Sequence, residues 1–390
     1  MAYVPRRLES QILKATRGFA AVILTGPRQS GKTTLLRRLF PRATYRLLGD
    51  PDTLARVRSD PRTFLDEVRP PAILDEIQNA PELFAYVRSR IEAAPRRLGQ
   101  WVLTGSQEAP LMREVTESLA GRAAVFQLLP LSTRESPKVS LLRGGFPGAL
   151  ARPSLASTWF RSYIQTYLER DVRAVSSIRD LATFRRFLAL VASRTGQVLN
   201  RTDLAAPLGV TVPTLGEWLR ILEVTGQILL VPPFFENFGK RLLKSPKLYF
   251  VDSGLACHLL GIDSARTLEG SPFLGPLFEG FVASEIAKQQ IGTGRARAIY
   301  WFRDQQGLEV DFVVPVRHNE LALVEAKALR SVTPAMAAPL DRLARAVRRY
   351  KTRRFVVHPT AMAVRTSALA PGARAVALPE LLAALEPGRR

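Results

Sequence analysis

The sequence predicts an α/β protein in three parts: a parallel sheet layered with helices, a helical region, and a second α/β domain. Three observations carry this prediction. Short apolar runs alternate with helical patterns through the first third, strand-like runs disappear from about Ser132, and they return after Tyr249. The expected boundaries are residues 1–135, 136–250 and 251–390.

Phe19 to Gly26, Pro71 to Gln78 and Gln100 to Gln107 are apolar runs that turn polar at their C-terminal ends, as buried parallel strands do. Helical patterns follow the first run at KTTLLRRLF and the second at Pro81 to Ala94. The middle region opens with RGGFPGAL and continues through long helical patterns, TWFRSYIQTYLERDVRAV and LATFRRFLALVASRTG. A short helix, a turn at Gly209, a second helix from about Thr214 to Thr225 and an apolar strand then predict a helix-turn-helix with a wing. Past Tyr249, strands are expected at RAIYWF, LEVDFVVPV and LALVEAKA, then a basic helical stretch, DRLARAVRRYKTRR, and a last strand, RFVVH.

Composition narrows the function classes. With 390 residues, 46% hydrophobic and 23% charged, the chain is expected to fold as two or three globular domains, not as a fibrous or disordered protein. No run approaches a membrane-spanning length, and MAYVPRRLE lacks the apolar core of a signal peptide, so a cytoplasmic protein with no membrane partner is expected. The single cysteine, Cys257, cannot form an internal disulfide, and His258, His318 and His358 are too scattered for structural zinc. The net charge of +22 favours polyanion partners such as DNA. Only nine of the 56 basic residues are lysine, so the excess fits an arginine-rich coding bias as well as selection for binding.

The most specific motif is GPRQSGKTT, Gly26 to Thr34, which satisfies G-x-x-x-x-G-K-[ST] between a predicted strand and a predicted helix. Backbone N–H groups in such a loop wrap a polyphosphate at the positive end of the following helix. The nucleotide-binding set is therefore Gly26, Pro27, Arg28, Gln29, Ser30, Gly31, Lys32, Thr33 and Thr34. Lys32 supplies a cation for the terminal phosphates, and the Thr33 hydroxyl is placed to ligate Mg2+. The second strand ends in Asp75-Glu76. Asp75 can hold Mg2+ through water and Glu76 can polarise an attacking water, or the pair caps the next helix. After the third strand, Ser106 either contacts the γ-phosphate or belongs to an ordinary turn.

At these residues the sequence resembles the AAA-type P-loop ATPases, with Gly26 to Thr33 as Walker A, Asp75-Glu76 as Walker B and Ser106 near the sensor-1 position. With SLAGR, GGFPGAL, YLERDV and VDSGLACHLLG added, nearly the whole chain is similar to a prokaryotic ATP-binding family that ends in a domain of unknown function. The resemblance implies a P-loop NTPase sheet, ATP and Mg2+ as cofactors, and sites shared in a homo-oligomer. It also implies an arginine given by a neighbouring subunit, for which Arg122 in SLAGR is the candidate. The same arginine could instead make a surface ion pair or face the phosphates of its own chain.

In the helix-turn-helix, Leu215, Trp218, Leu219 and Leu222 form an inward stripe, while Glu217, Arg220 and Glu223 remain to face out. That outward set is poor for gripping phosphates. The winged helix resembles the module that follows the ATPase core in archaeal relatives of origin-recognition ATPases, and it either reads DNA or serves as a packing or oligomerisation element.

LEVDFVVPVRHNELALVEAKA folds on paper as a hairpin with its tip near His318. Asp311 and Glu325 lie seven residues either side of the tip and so oppose each other, and Lys327 shares the face of Glu325. Two carboxylates and a lysine on one face can bind Mg2+ and activate water for phosphodiester cleavage. Glu279 and Glu285 on the preceding helical stretch are further ligand candidates. The arrangement resembles the restriction-endonuclease-like nuclease fold, although Val310, not proline, precedes Asp311. A lysine-neutralised, inactive site is the other reading. The expectation is thus an ATP-hydrolysing, nucleic-acid-acting enzyme, or a nucleotide-gated protein-interaction module whose nuclease-like end is inactive.

Overall fold

The computed structural model describes residues 3–106, 117–168, 181–234, 245–329, 331–359 and 367–386. The chain forms two compact units. One comprises Met1–Leu131 with Val224–Gly226 and Ile291–Arg295, and the other comprises Ser132–Glu223, Gln227–Gln290 and Ala296–Arg390.

The first unit is built on five parallel strands: β1 (Ala21–Thr25), β2 (Thr44–Leu47), β3 (Ala72–Asp75), β4 (Trp101–Thr104) and β5 (Ala123–Gln127), in spatial order β2-β3-β4-β1-β5. The expected runs became β1, β3 and β4, and every residue of these three is buried. Alternation along the strands feeds two cores. Ile23, Leu74, Leu103 and Trp101 pack on one face. Val22, Leu24, Ile73 and Val102 pack on the other. The sequence reading did not identify β2 and β5, whose side chains are at best half-buried.

Helices α1 (Glu9–Ala15), α2 (Lys32–Leu39), α3 (Pro51–Ser59), α4 (Pro61–Glu67) and α5 (Leu83–Ala93) complete this unit. Asp50 and Asp60 cap α3 and α4 by accepting from backbone N–H groups, and each precedes a proline in the first turn. The topology sets the site. β1 and β3 flank β4, so the three loops at their C-terminal ends are neighbours.

In the second unit, helices Leu181–Ser193, Arg201–Ala205 and Val212–Val224 precede β6 (Ile228–Val231), which pairs antiparallel with β7 (Lys247–Phe250). Gly209, at φ +65°, makes the turn before the third helix. Leu215, Trp218, Leu219 and Leu222 are buried as expected, with Trp218 edge-on to Phe184 and Phe187 at 5.6 and 5.2 Å between centroids. Glu217 and Arg220 are exposed. Residues 235–244, between β6 and β7, and much of YLERDV lie outside the described residues.

The two glycine motifs of this unit interlock. Asp252 accepts from Leu255 N at 3.0 Å, capping helix Ser253–Leu259, and from Gly145 N at 2.6 Å.

The rest of the unit is a six-stranded sheet in the order β12-β13-β11-β10-β9-β8, preceded by the helix Leu274–Gly292. Its strands are β8 (Tyr300–Arg303), β9 (Glu309–Arg317), β10 (Glu320–Ala326), β11 (Lys351–Val357), β12 (Ser367–Ala370) and β13 (Ala373–Val376). Backbone from Pro232 to Phe234 joins its β8 edge: Trp301 N donates to Pro232 O at 3.1 Å and Phe234 N to Trp301 O at 2.7 Å. The hairpin turns at His318 and Asn319 as predicted, with Val324 opposite Phe312. One expectation is corrected. The basic stretch is not one helix, because helix Ala338–Ala346 ends where Val347 is buried, and Lys351 already belongs to β11. Arg342 and Arg345 are thus helical, while Arg349 lies in the turn.

Candidate active site

The loop after β1 depends on glycine at two places. A Cβ on Gly26, at φ +134°, would lie 2.2 Å from Leu128 O, so only glycine lets the backbone pass there. Gly31, at φ +97°, is the N-cap of α2 and turns its N-terminus into the loop. The Lys32 ammonium closes across the loop onto the carbonyls of Gly26 and Pro27 at 2.8 and 2.9 Å. The buried Ser30 hydroxyl has no hydrogen-bond partner among the described residues. A lysine folded over its own cradle, an unanswered hydroxyl and a helix N-terminus together suit a polyphosphate.

The loop is held from beneath by a residue that sequence reasoning missed. Arg6, 8% exposed, donates to Ser30 O at 2.9 Å and to Leu129 O at 2.6 Å. Nothing in the segment before α1 signals this, since the contacts bridge residues far apart in sequence.

Thr33 and Asp75 meet as predicted, with Thr33 Oγ1 donating to Asp75 Oδ2 at 2.7 Å. The same oxygen accepts from the Tyr45 hydroxyl at 2.8 Å, a second missed residue, carried by β2. Burial and then the bond to Asp75 push the Tyr45 phenol well above its ordinary value, so it stays an O–H donor. These oxygens are the hard ligands that Mg2+ favours.

Glu76 does not cap a helix through its side chain. It sits in the left-handed region at φ 61°, and its Oε2 accepts from Gln78 Nε2 and lies 3.4 Å from Arg28 Nη1. Gln78 also reaches the buried Ser106 hydroxyl at 3.4 Å, linking the β3 and β4 loops. Arg122 is elsewhere. Its carbonyl accepts from Ala21 N, which places it where β1 and β5 begin, about 13 Å of strand from the loop at a rise of about 3.3 Å per residue. Its guanidinium pairs with exposed Glu92 at 2.9 Å, so within one chain it makes a surface ion pair and does not face the phosphates.

The second unit brings Glu279, Asp311, Glu325 and Lys327 together. Lys327 Nζ is 2.7 Å from Glu325 Oε1, and Asp311 Oδ2 accepts from Ala326 N at 2.8 Å. Glu279 joins through a residue absent from the sequence reading: Lys247 Nζ lies 2.8 Å from Glu279 Oε1, 2.6 Å from Glu309 Oε1 and 3.6 Å from Asp311 Oδ1. Tyr249, two residues along β7, donates to Glu279 Oε1 at 2.6 Å. Glu285 is not part of the cluster; it is fully buried and accepts from Thr133 N at 2.8 Å.

Burial first, then the charge of Asp311, push Glu325 up to about 8 and Glu279 up to about 7. Burial likewise raises Asp311. For Lys247, burial opposes the charge, but Glu279, Asp311 and Glu309 outweigh it and hold the ammonium above its ordinary value. Among the described residues, no three acidic, histidine or cysteine side chains stand in metal-coordinating geometry. No helix among the described residues is long and apolar enough to cross a membrane.

Comparison with known proteins gives three family matches: an AAA domain over residues 18–136, a Domain of unknown function (DUF8612) over 134–266, and a Domain of unknown function (DUF4143) over 274–381. A Walker-type ATPase of Pyrococcus abyssi is similar in structure at 16% identity and a TM-score of 0.45, over 66% of this chain and 96% of that one. Uncharacterized proteins of Mycobacterium tuberculosis and Mycobacterium bovis are each 33% identical over 318 residues, which is 79% of this chain and 70% of theirs. With that likeness spread over most of both sequences, and with a Walker-type cradle formed inside the AAA domain, the chain belongs to the family of these mycobacterial proteins and is an AAA-type, ATP-binding P-loop protein.

Proposed function

We propose that the protein is a Mg2+-dependent ATP hydrolase. The observation that carries this is the meeting of Thr33 and Asp75 at 2.7 Å beside the loop that Lys32 spans. Lys32 binds the terminal phosphates by exchanging two loop carbonyls for phosphate oxygens, while loop N–H groups bind the rest of the chain of phosphates. Thr33 and Asp75 hold Mg2+, which when bound neutralises phosphate charge. Glu76 polarises the attacking water, and Gln78 and Arg28 fix its carboxylate for that role. Gln78 and Ser106 form the polar wall between the β3 and β4 loops.

Lys32→Ala tests this. Turnover of ATP falls by at least about a hundredfold while the chain keeps a single cooperative unfolding transition, its midpoint lowered by the loss of the two carbonyl contacts. Turnover unchanged by that substitution removes the assignment.

A second reading, a metal-dependent phosphodiester cleavage site in the second unit, is favoured by the convergence of Glu279, Asp311, Glu325 and Lys327 in one buried cluster. In this reading Asp311 and Glu325 hold a divalent ion and Lys327 stands beside the attacked phosphate. Purified protein would then nick DNA or RNA with Mg2+ or Mn2+, and Asp311→Asn and Lys327→Met would each abolish the cleavage. Cleavage that survives both comes from elsewhere. Protein that never cleaves leaves the ATP-gated interaction module as the function of this unit.

A further inference from the structure

Helix Val212–Val224 ends in a turn that meets the nucleotide loop. Gln227 N donates to Leu222 O at 2.7 Å, and Gly226 stands between them in the left-handed region at φ +68°, as glycines that close helices do. Val224–Gly226 belongs to the first unit, and so does Pro27, the second residue of the loop motif. The backbone of Gly226 lies close against the Pro27 ring. A Cβ on Gly226 would stand 2.9 Å from Pro27 Cγ and 3.0 Å from Pro27 Cδ, about 0.6 Å short of ordinary carbon contact.

Closing a helix does not by itself require this clearance. Gly209 closes its own turn at φ +65°, and a Cβ there would meet nothing among the described residues within 4 Å. Pro27 has little room to yield. Its ring fixes φ, and its carbonyl accepts from Lys32 Nζ at 2.9 Å and from Ser30 N at 3.3 Å. Gly26 before it is pressed equally close to Leu128 O. The start of the loop is therefore set by two backbone approaches, Leu128 on Gly26 and Gly226 on Pro27.

We propose that Gly226 is a positioning residue for ATP: the turn after helix Val212–Val224 is the stop against which the phosphate loop is set. A shift of that turn moves Pro27, and with it one of the two carbonyls that Lys32 spans. The inference rests on reading this loop as the ATP cradle, and it gives the cradle a control point nearly two hundred residues away in sequence, as about 199 positions separate Gly226 from Pro27.

The test is binding of the fluorescent analogue N-methylanthraniloyl-ATP to the full-length protein with Mg2+. Gly226→Ala weakens binding by at least about tenfold, because sub-ångström misplacement of a phosphate cradle carries a cost of that order. Gly226→Asn takes positive φ with less strain and presents the same Cβ, so it weakens binding likewise and keeps the test open if the alanine chain does not fold. Gly209→Ala, with the same backbone strain and no such contact, stays within about twofold of the unmodified chain. Pro27→Ala removes Cγ and Cδ, and in that background adding Gly226→Ala changes affinity by no more than about twofold, which a general loss of stability would not produce.

If Gly226→Ala and Gly226→Asn bind like the unmodified chain, if Gly209→Ala weakens binding as much as they do, or if their effect persists in full beside Pro27→Ala, the stop is overturned and the cradle reading stands. If the unmodified chain does not bind the analogue, or binds it no differently after Lys32→Ala, the cradle reading falls and the stop falls with it.

Discussion

Tyr45→Phe isolates one hydrogen bond at the nucleotide site. The substitution keeps the ring, and with it the Arg37 guanidinium 5.1 Å from its centroid, and deletes only the O–H that donates to Asp75 Oδ2 at 2.8 Å. Asp75 retains the Thr33 donor at 2.7 Å, so the carboxylate is less firmly oriented but not abandoned. A hydrogen bond to a charged acceptor contributes about 1.5–3 kcal/mol, and the half-buried position of Tyr45 argues for the lower figure. About 1.5 kcal/mol is roughly tenfold, which agrees with the usual effect of losing a partner that orients a metal ligand. The assay is steady-state ATP turnover against Mg2+ concentration at saturating ATP. The half-saturating Mg2+ concentration rises about tenfold with turnover at high Mg2+ nearly unchanged. Superimposable Mg2+ curves for the two proteins would refute the positioning of Asp75 by Tyr45.

Three further outcomes are expected. Gly26→Ala forces a Cβ to within 2.2 Å of Leu128 O at a positive φ, so its urea midpoint should correspond to a loss of about 3 kcal/mol or more, and an unshifted midpoint contradicts the close approach. Glu325, held at about 8 in the folded chain against 4.5 ordinarily, keeps a proton that the unfolded chain releases, so stability falls as pH rises from about 4.5 through 8. At about 1.4 kcal/mol per pH step the ceiling is about 4–5 kcal/mol, and Glu325→Gln should flatten the dependence of the melting temperature on pH and raise it at pH 8.5; no change in slope would count against it. Arg122→Ala should leave turnover per chain unchanged in dilute protein, because its partner is Glu92, whereas a loss of about a thousandfold there would put this arginine in the site.

What could be read from the sequence follows burial and chain distance. β1, β3 and β4 were legible because strands covered on both faces are continuous apolar runs, and the loop after β1 was legible because its chemistry is local. β2 and β5 lie at the sheet edges: β2 carries Tyr45 and Arg46 at half-buried positions, and the short run Ala123 to Phe126 of β5 is only partly buried and is closed by Gln127. The hairpin could be placed because its turn fixes the register, which brought Asp311 and Glu325 together from counting alone. Lys351 to Arg354 misled because basic residues at partly exposed strand positions look like a solvated helix face. Arg6, Tyr45, Gln78 and Lys247 act across long chain separations, and no periodicity reports such contacts.

The extended Pro232–Phe234 segment beside β8 does more than attach one part of the second unit to another. A bare sheet margin invites a foreign strand to continue the ladder. Here Pro232 O and Phe234 N face β8, and the residue between them, Pro233, turns its backbone outward with a carbonyl but no N–H, so an approaching chain finds an acceptor without its matching donor. At this point of the flank the block on a foreign strand is a single residue, and Pro233→Ala would restore the missing donor.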